Sequence, residues 1–401
     1  MQKSASQIQD EFFMQRALKL AADTIGLASP NPQVGCVLVR ESQQGETAVI
    51  IGEGAHLYDH RDHAEIVALK HASRRGISTR GATAYVTLEP CSHHGRTPPC
   101  ANALIEAGIA RCVIATQDPN PQVSGQGIQR LRAANIEVTL GVLQQQARDL
   151  NEAFAHFIQH KTPFVTLKAA LSVDGKLAPP PTQRLPNQPH WLTGPAARQQ
   201  VQLLRHASDA VLTGIGTVLA DDPQLTDRSE MQNSAPSGII GPGNLSRRRP
   251  LLRVVLDTQL RIPLTSQLVR SANNDLLILC SETAPVSNIT TLTALGVEVE
   301  QIPGNAGHLS LPVVLSTLAK RNILSLLLEC GSHLNGSFIG QDLVDKASLF
   351  FAETELGEHA IPFAQGIPSP YLFQQSLTRV TRATYGSDAC ITGYLHDPWP
   401  V

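Results

Sequence analysis

Three residues far apart in the chain could hold one metal ion. His63 opens the run His63-Ala64-Glu65, Cys91 closes Leu88-Glu89-Pro90-Cys91, and Cys100 follows Thr97-Pro98-Pro99. One imidazole and two thiolates form a three-ligand zinc set with the fourth position open. Such a zinc brings the pKa of a water down to about 7. Glu65, two residues from His63, could take a proton from that water and return it to departing ammonia. A carboxylate that is not itself a ligand does this in zinc deaminases. The alternative makes Cys91 and Cys100 packed thiols and His63 a surface residue, which each would be if taken alone. The joint spacing favours the metal. A non-catalytic, zinc-stabilised module would share the ligands but have no use for Glu65. The usual deaminase signature is Pro-Cys-x-x-Cys, whereas eight residues separate Cys91 from Cys100 here. They bring His93, His94 and Arg96 to the mouth of the site, which suits an anionic substrate such as a sugar phosphate.

Alternating helices and strands must position these groups. Periodicity predicts a helix over 8–25, and Ser29-Pro30-Asn31-Pro32 breaks it. Strands are expected at 35–39 and 49–52, joined by a polar turn at Ser42 to Glu46, and further strands at 84–88, 112–116 and 136–140. Helices are expected over 63–73, 98–107 and 126–134. In the second of these Thr97 would cap the helix and Cys100 would lie in its first turn. The helix dipole there favours a thiolate. This pattern implies a three-layer α/β domain, and one helix over about 144–159 leads out of it. The expected division is 1–160 and 161–401.

The second domain also reads as α/β. Apolar strands are expected at 165–170, 210–214, 253–257, 276–280, 297–302, 325–329 and 348–352, with helices at 196–205 and 311–320 among them. No complete Gly-x-Gly-x-x-Gly opens a helix after its first strand, so the standard dinucleotide fingerprint is absent. Two glycine turns could still bind phosphate through backbone N–H groups, Thr213 to Thr217 and Glu329 to Ser337. A polar segment from Ser229 to Pro250 contains Arg247-Arg248-Arg249 and reads as a solvated loop.

Composition narrows the function classes. The chain has 401 residues, is 42 % hydrophobic and 16 % charged, and carries a formal net charge of −2. It can bury a core, and it lacks the basic surface expected of a nucleic-acid or membrane binder. A nucleic-acid deaminase would also be expected to show Cys-x-x-Cys. The polar N-terminus is unlike a secretory signal, which implies a cytoplasmic setting. The seven Cys are then expected to be thiols. Cys36, Cys112, Cys280, Cys330 and Cys390, in or beside strands, read as packed.

Several stretches together resemble one known family. They are Ser29 to Gly35, His63-Ala64-Glu65, the run from Thr87 to Cys100, and Gln117-Asp118-Pro119-Asn120-Pro121. The sequence is similar to the bifunctional riboflavin-biosynthesis deaminase–reductases, strongly to about residue 228 and more weakly beyond. The resemblance implies a cytidine-deaminase-like domain followed by a dihydrofolate-reductase-like α/β domain. It also implies one zinc per chain and NADPH, a small phosphorylated pyrimidine as substrate, and a homo-oligomer. The implied reactions are deamination of 2,5-diamino-6-ribosylamino-pyrimidinone 5′-phosphate, then reduction of its ribosyl group to ribityl. Asn31 and His56 would hold the pyrimidine, and His93, Arg96, Asp118 and Asn120 the rest of the substrate. In the second domain Arg205, Leu225, Arg228 and Glu329, with Lys168 and Asp174, would bind substrate. Leu171, Trp191, Thr217, Asp221, Thr258 and the turn Gly331, Ser332, His333, Leu334, Asn335, Gly336 and Ser337 would bind cofactor. The chain departs from the family in three places. Asp59-His60 stands for the usual Ala-Gly, Pro189 for a Ser, and Glu353-Thr354 for Pro-Lys. The last two raise the alternative of an active deaminase joined to an impaired reductase-like domain.

Overall fold

The structure is a computed structural model and describes residues 3–40, 48–93, 98–184, 190–229, 249–305 and 307–399. The expected turn at Ser42 to Glu46, Thr97, His94, Arg96, Pro189 and Arg247-Arg248 lie outside them. The described residues form two compact units. One runs to His160 and includes Arg249 and Trp399; the other comprises Lys161–Ser229 and Pro250–Pro398. Among the described residues, no helix is long and apolar enough to cross a membrane.

The first unit has a five-stranded sheet in the order β2-β1-β3-β4-β5, formed by β1 (Gly35–Arg40), β2 (Val49–Ala55), β3 (Thr83–Val86), β4 (Arg111–Ile114) and β5 (Glu137–Leu140). β1 pairs antiparallel with β2 and β3, while β3, β4 and β5 run parallel. Side chains alternate across the sheet. Cys36 and Leu38 join one core with Ala64, Ala68 and Leu104; Val37 and Val39 join another with Phe13, Met14 and Ala17. The three layers are α1 (Ala5–Ala22), the sheet, and α2 (Ala64–Arg74) with α3 (Cys100–Glu106) and α4 (Gln126–Ala133). A Cβ at Gly54 would fall 2.2 Å from the Ala64 carbonyl oxygen. Glycine there lets the start of α2 lie directly on β2.

Two expectations need correcting. The helix expected over 144–159 is two, α5 (Gln144–Leu150) and α6 (Glu152–His160). Buried Asn151 separates them, and its side chain accepts from Gln33 N–H at 2.7 Å and donates to Gln33 C=O at 3.0 Å. The helix carrying Cys100 starts at Cys100 itself, with Pro99 as its N-cap and no side-chain cap. Trp399 packs into this unit's core; its indole donates to the Arg148 carbonyl at 3.0 Å, and the Arg148 guanidinium lies 5.3 Å above the ring.

The second unit contains β6 (Phe164–Leu171), β7 (Lys176–Ala178), β8 (Ala210–Gly214), β9 (Leu252–Leu256), β10 (Leu276–Ser281) and β11 (Glu298–Ile302). Its nine-stranded sheet runs β11-β10-β9-β8, Ser325–Leu328, β6, Lys346–Phe351, Asp388–Tyr394 and Thr378–Tyr385. The first seven are parallel and the last two add an antiparallel hairpin. Helices α7 (Pro195–His206), α8 (Ile215–Asp221), α9 (Gln267–Arg270), α10 (Val286–Ala294), α11 (Leu311–Lys320) and α12 (Ser332–Gly340) accompany it. Crossover helices cover a parallel sheet, so its strands read as continuous apolar runs. α8 and α12 follow the carboxyl ends of their strands, where ligands bind in open α/β sheets.

Candidate active sites

In the first unit, His63 is the N-cap of α2, Cys91 follows β3 and Cys100 begins α3. Their ligand atoms lie within 4.8 Å of one another. His63 Nδ1 is 3.5 Å from Cys91 Sγ and 3.2 Å from Cys100 Sγ. Bonds of about 2.0 Å to nitrogen and 2.3 Å to sulfur at a tetrahedral zinc imply edges of about 3.6 Å between ligand atoms. The three residues therefore fit zinc. Hydrogen bonding from Cys100 holds the Cys91 thiol low, and the neighbouring Cys91 pushes Cys100 up. A divalent cation between them reconciles both as thiolates.

Glu65 is buried beside these ligands and hydrogen-bonds Cys100. Burial, reinforced by the charge of Cys91, pushes its carboxyl up to about 7. A group with that pKa can both accept and donate a proton at neutral pH.

The pyrimidine candidates adjoin the metal site. The His56 ring meets the His63 ring edge-on, with centroids 5.3 Å apart. His56 Nδ1 lies 2.9 Å from the Asp62 carbonyl oxygen, which only accepts, so Nδ1 carries the proton. Nε2 then accepts from Asn31 Nδ2 at 2.9 Å. Burial lowers the His56 pKa, consistent with a neutral ring. The pair thus uses the amide nitrogen of Asn31 and not its Oδ1.

Asp118 lies within electrostatic reach of His93 and Cys91, and burial pushes its carboxyl up to about 6. It caps its own turn by accepting from Asn120 N–H at 2.8 Å, and Asn120 does the same for Gln122 at 3.0 Å. Sequence reasoning missed Glu89, which holds this loop. Its buried carboxylate accepts backbone N–H groups from Asp118 (3.3 Å), Gly125 (2.9 Å), Gly127 (2.9 Å) and Ile128 (3.2 Å). The signal was an acid ending an apolar strand, since a buried charge requires partners.

In the second unit, Arg205 and Glu329 form a bidentate pair at 2.5 and 3.0 Å, and Lys168 Nζ lies 3.8 Å from the same carboxylate. Burial opposes the Glu329 charge, but Arg205 and Lys168 outweigh it and lower its pKa. Burial lowers Lys168 and Arg228, and Arg205 adds to both effects, so Arg228 shares this field. Arg205 and Lys168 thus flank this carboxylate, and Arg228 lies within its electrostatic reach. Asp174 does not join them. Its carboxylate accepts from Ser172 Oγ (2.6 Å), Leu356 N–H (3.0 Å) and Gly357 N–H (2.8 Å), which anchors a turn. Leu225 is 3 % exposed and its side chain is in the core.

Among the cofactor candidates, Thr217 Oγ1 would lie 3.6 Å from a Cβ at Gly331, so α8 and the turn before α12 adjoin. α12 has no side-chain cap, and among the described residues buried Ser332 Oγ and Asn335 Oδ1 meet no hydrogen-bond partner. An uncapped helix start with orphaned buried oxygens fits a phosphate-bearing cofactor that supplies hydrogen-bonding groups. His333 and Ser337 are exposed, Gly336 is buried, and Leu334 and Thr258 are half-buried. Trp191 is 61 % exposed beneath the Arg198 guanidinium, 5.1 Å away. Asp221 already pairs with Arg184. Leu171 is fully buried, and its carbonyl accepts from Ala352 N–H at 2.8 Å.

Two family profiles match the chain, "Cytidine and deoxycytidylate deaminase zinc-binding region" over residues 7–116 and "RibD C-terminal domain" over 163–391. The riboflavin biosynthesis protein RibD of Escherichia coli K12 is 41 % identical over 353 residues, covering 88 % of this chain and 90 % of that one. The chain belongs to the RibD family. RibD of Synechocystis is 38 % identical over 398 residues, covering 97 % of both chains. The structure of Acinetobacter baumannii RibD aligns with a TM-score of 0.76 and 36 % identity, covering 97 % of this chain and 99 % of that one. A Thermotoga maritima diaminohydroxyphosphoribosylaminopyrimidine deaminase/5-amino-6-(5-phosphoribosylamino)uracil reductase aligns with the same score at 33 % identity and the same coverage. As a RibD the chain is a bifunctional riboflavin-biosynthesis enzyme, a zinc-dependent deaminase and a reductase. Matches across both units do not favour an impaired reductase, despite Pro189 and Glu353-Thr354.

Proposed function

We propose that the first unit releases ammonia from carbon 2 of 2,5-diamino-6-ribosylamino-pyrimidinone 5′-phosphate, and that the second reduces the ribosyl group of the product with NADPH. The observation that carries the first step is buried Glu65 beside His63, Cys91 and Cys100. Bound zinc supplies Lewis acidity that makes water a nucleophile near neutral pH. Glu65 takes the proton of the attacking water on a carboxylate oxygen and delivers it to the departing amine. Asn31 Oδ1, fixed by the Asn31–His56 bond, accepts from the pyrimidine edge. Asp118 and Asn120, with His93 and Arg96 from the insertion, hold the ribose phosphate.

In the second unit NADPH supplies hydride to carbon 1′ of the opened sugar. Arg205 and Arg228 neutralise the substrate phosphate. Lys168, held against Glu329, donates a hydrogen bond to the sugar, and Glu329 keeps Arg205 in place. The N–H groups that begin α12 hold the cofactor phosphates, with the Ser332 hydroxyl as a further donor and Thr217 beside them, and Asn335 Oδ1 accepts from a donor group of the cofactor. The chain works as a homo-oligomer in the cytoplasm. Five thiols outside the metal set, Cys36, Cys112, Cys280, Cys330 and Cys390, support the compartment. Exposed Ile8 and Phe12, one turn apart on α1, support assembly.

Glu65→Gln tests the deaminase assignment. Ammonia release should fall by about a thousandfold, within the range of a lost general acid–base, while zinc content stays at that of the parent. Unchanged ammonia release would refute the role of Glu65.

A further inference from the structure

The second unit contains a histidine–carboxylate pair, its histidine buried, with no part in the reactions above. His206 ends α7 and is 4 % exposed. Its Nδ1 lies 2.8 Å from Asp227 Oδ2. The other Asp227 oxygen accepts the Ser229 N–H at 3.0 Å, so this carboxylate sets the chain on both sides of Arg228. Burial opposes the Asp227 charge, but the bonds from His206 and Ser229 outweigh it and hold the carboxyl down to about 2.

His206 is one of three residues near the end of α7 that grip this loop. Gln202, four residues earlier and hence on the same helix face, accepts the Arg228 N–H at 2.9 Å. Arg205 donates to the Thr226 carbonyl at 3.0 Å. Three consecutive loop residues are therefore fixed to one helix. The Arg228 guanidinium in turn donates to Gln224 Oε1 at 2.9 Å and to Thr226 Oγ1 at 3.3 Å. Of the three attachments, only His206–Asp227 joins a side chain of the helix to a side chain of the loop.

We propose that His206 and Asp227 are positioning residues for the reductase, which fix the Thr226–Ser229 loop so that Arg228 meets the phosphate of the substrate. The proposal rests on reading Arg205 and Arg228 as the anion-binding pair. Affinity for the phosphorylated substrate is then built before it arrives, because Arg228 has little freedom left to lose.

Steady-state reduction by the full-length enzyme, with deaminated substrate and NADPH, tests this. His206→Leu keeps the volume and removes the donor, whereas His206→Asn returns an N–H near Nδ1. The Leu variant should raise KM for substrate about tenfold with kcat nearly unchanged, as expected when ground-state and transition-state binding are lost together. KM for NADPH and ammonia release should not change, and the Asn variant should recover most of the loss. Arg228→Gln is measured alongside. If it leaves KM unchanged, the anion-site reading fails. If it raises KM while His206→Leu does not, the positioning role alone fails. A fall in kcat at constant KM would mean a merely structural pair and would also overturn the proposal. Should His206→Leu not fold, Asp227→Asn against His206→Asn makes the same comparison.

Discussion

Glu65 and Asp118 are both acids lifted by burial, but their placement gives them different work. Glu65 lies against the candidate metal ligands, where the proposed function has it move protons; Asp118 lies on the loop after β4, where that function has it accept from substrate. With its carboxyl at about 6, Asp118 is ionised above that pH and neutral below it. One pH unit below the pKa leaves about a tenth of it ionised. The deaminase KM should therefore rise several-fold as pH falls from 7 to 5, and Asp118→Asn should flatten this component while leaving zinc in place. A profile unchanged by Asp118→Asn would contradict the assignment. At this scale the sequence was most legible where chemistry demands fixed types at fixed spacing. His63, Cys91 and Cys100 were readable as a candidate metal set because few other uses explain them jointly. Glu89 offered only the general signal of an acid ending an apolar strand, and Asp174 offered none, since a carboxylate that binds backbone N–H groups looks the same in sequence as one that binds a ligand.

Elements position these residues through a few buried polar contacts. Glu89 ties the loop Asp118–Ile128 to the end of β3, and Gly127 leaves room for it, since a Cβ there would fall 2.0 Å from the Pro90 carbonyl oxygen. Glu89→Ala should cost about 2–4 kcal/mol, because several buried N–H groups lose their acceptor. Thermal unfolding checks the stability, and a raised deaminase KM with retained zinc checks the loop. A variant with parental stability and KM would show that the loop holds itself. Strands of the parallel sheet were legible as apolar runs because helices cover both faces. The hairpin Thr378–Tyr385 and Asp388–Tyr394 was missed: its outer strand is largely exposed and polar, so burial leaves no pattern in it. The break at Asn151 was also hidden, since its partner Gln33 lies 118 positions away.

Each unit of the whole molecule has its own sheet and its own hydrophobic core. The candidate zinc ligands come from the first unit, and the Lys168–Arg205–Glu329 cluster from the second. Chelation of the metal should therefore abolish ammonia release and leave reduction of supplied deaminated product at the parental rate. Loss of both activities would contradict this separation. The reductase half was less legible in sequence because its cofactor site is a set of turns, in which glycine and serine are common for other reasons, whereas a zinc site is a set of rare side chains. The most direct measurement follows ammonia and NADPH together in one reaction started with the diamino substrate. The account predicts ammonia first and then NADPH oxidation, mole for mole, with no oxidation in Glu65→Gln until deaminated product is added. Ammonia release without NADPH oxidation would contradict it.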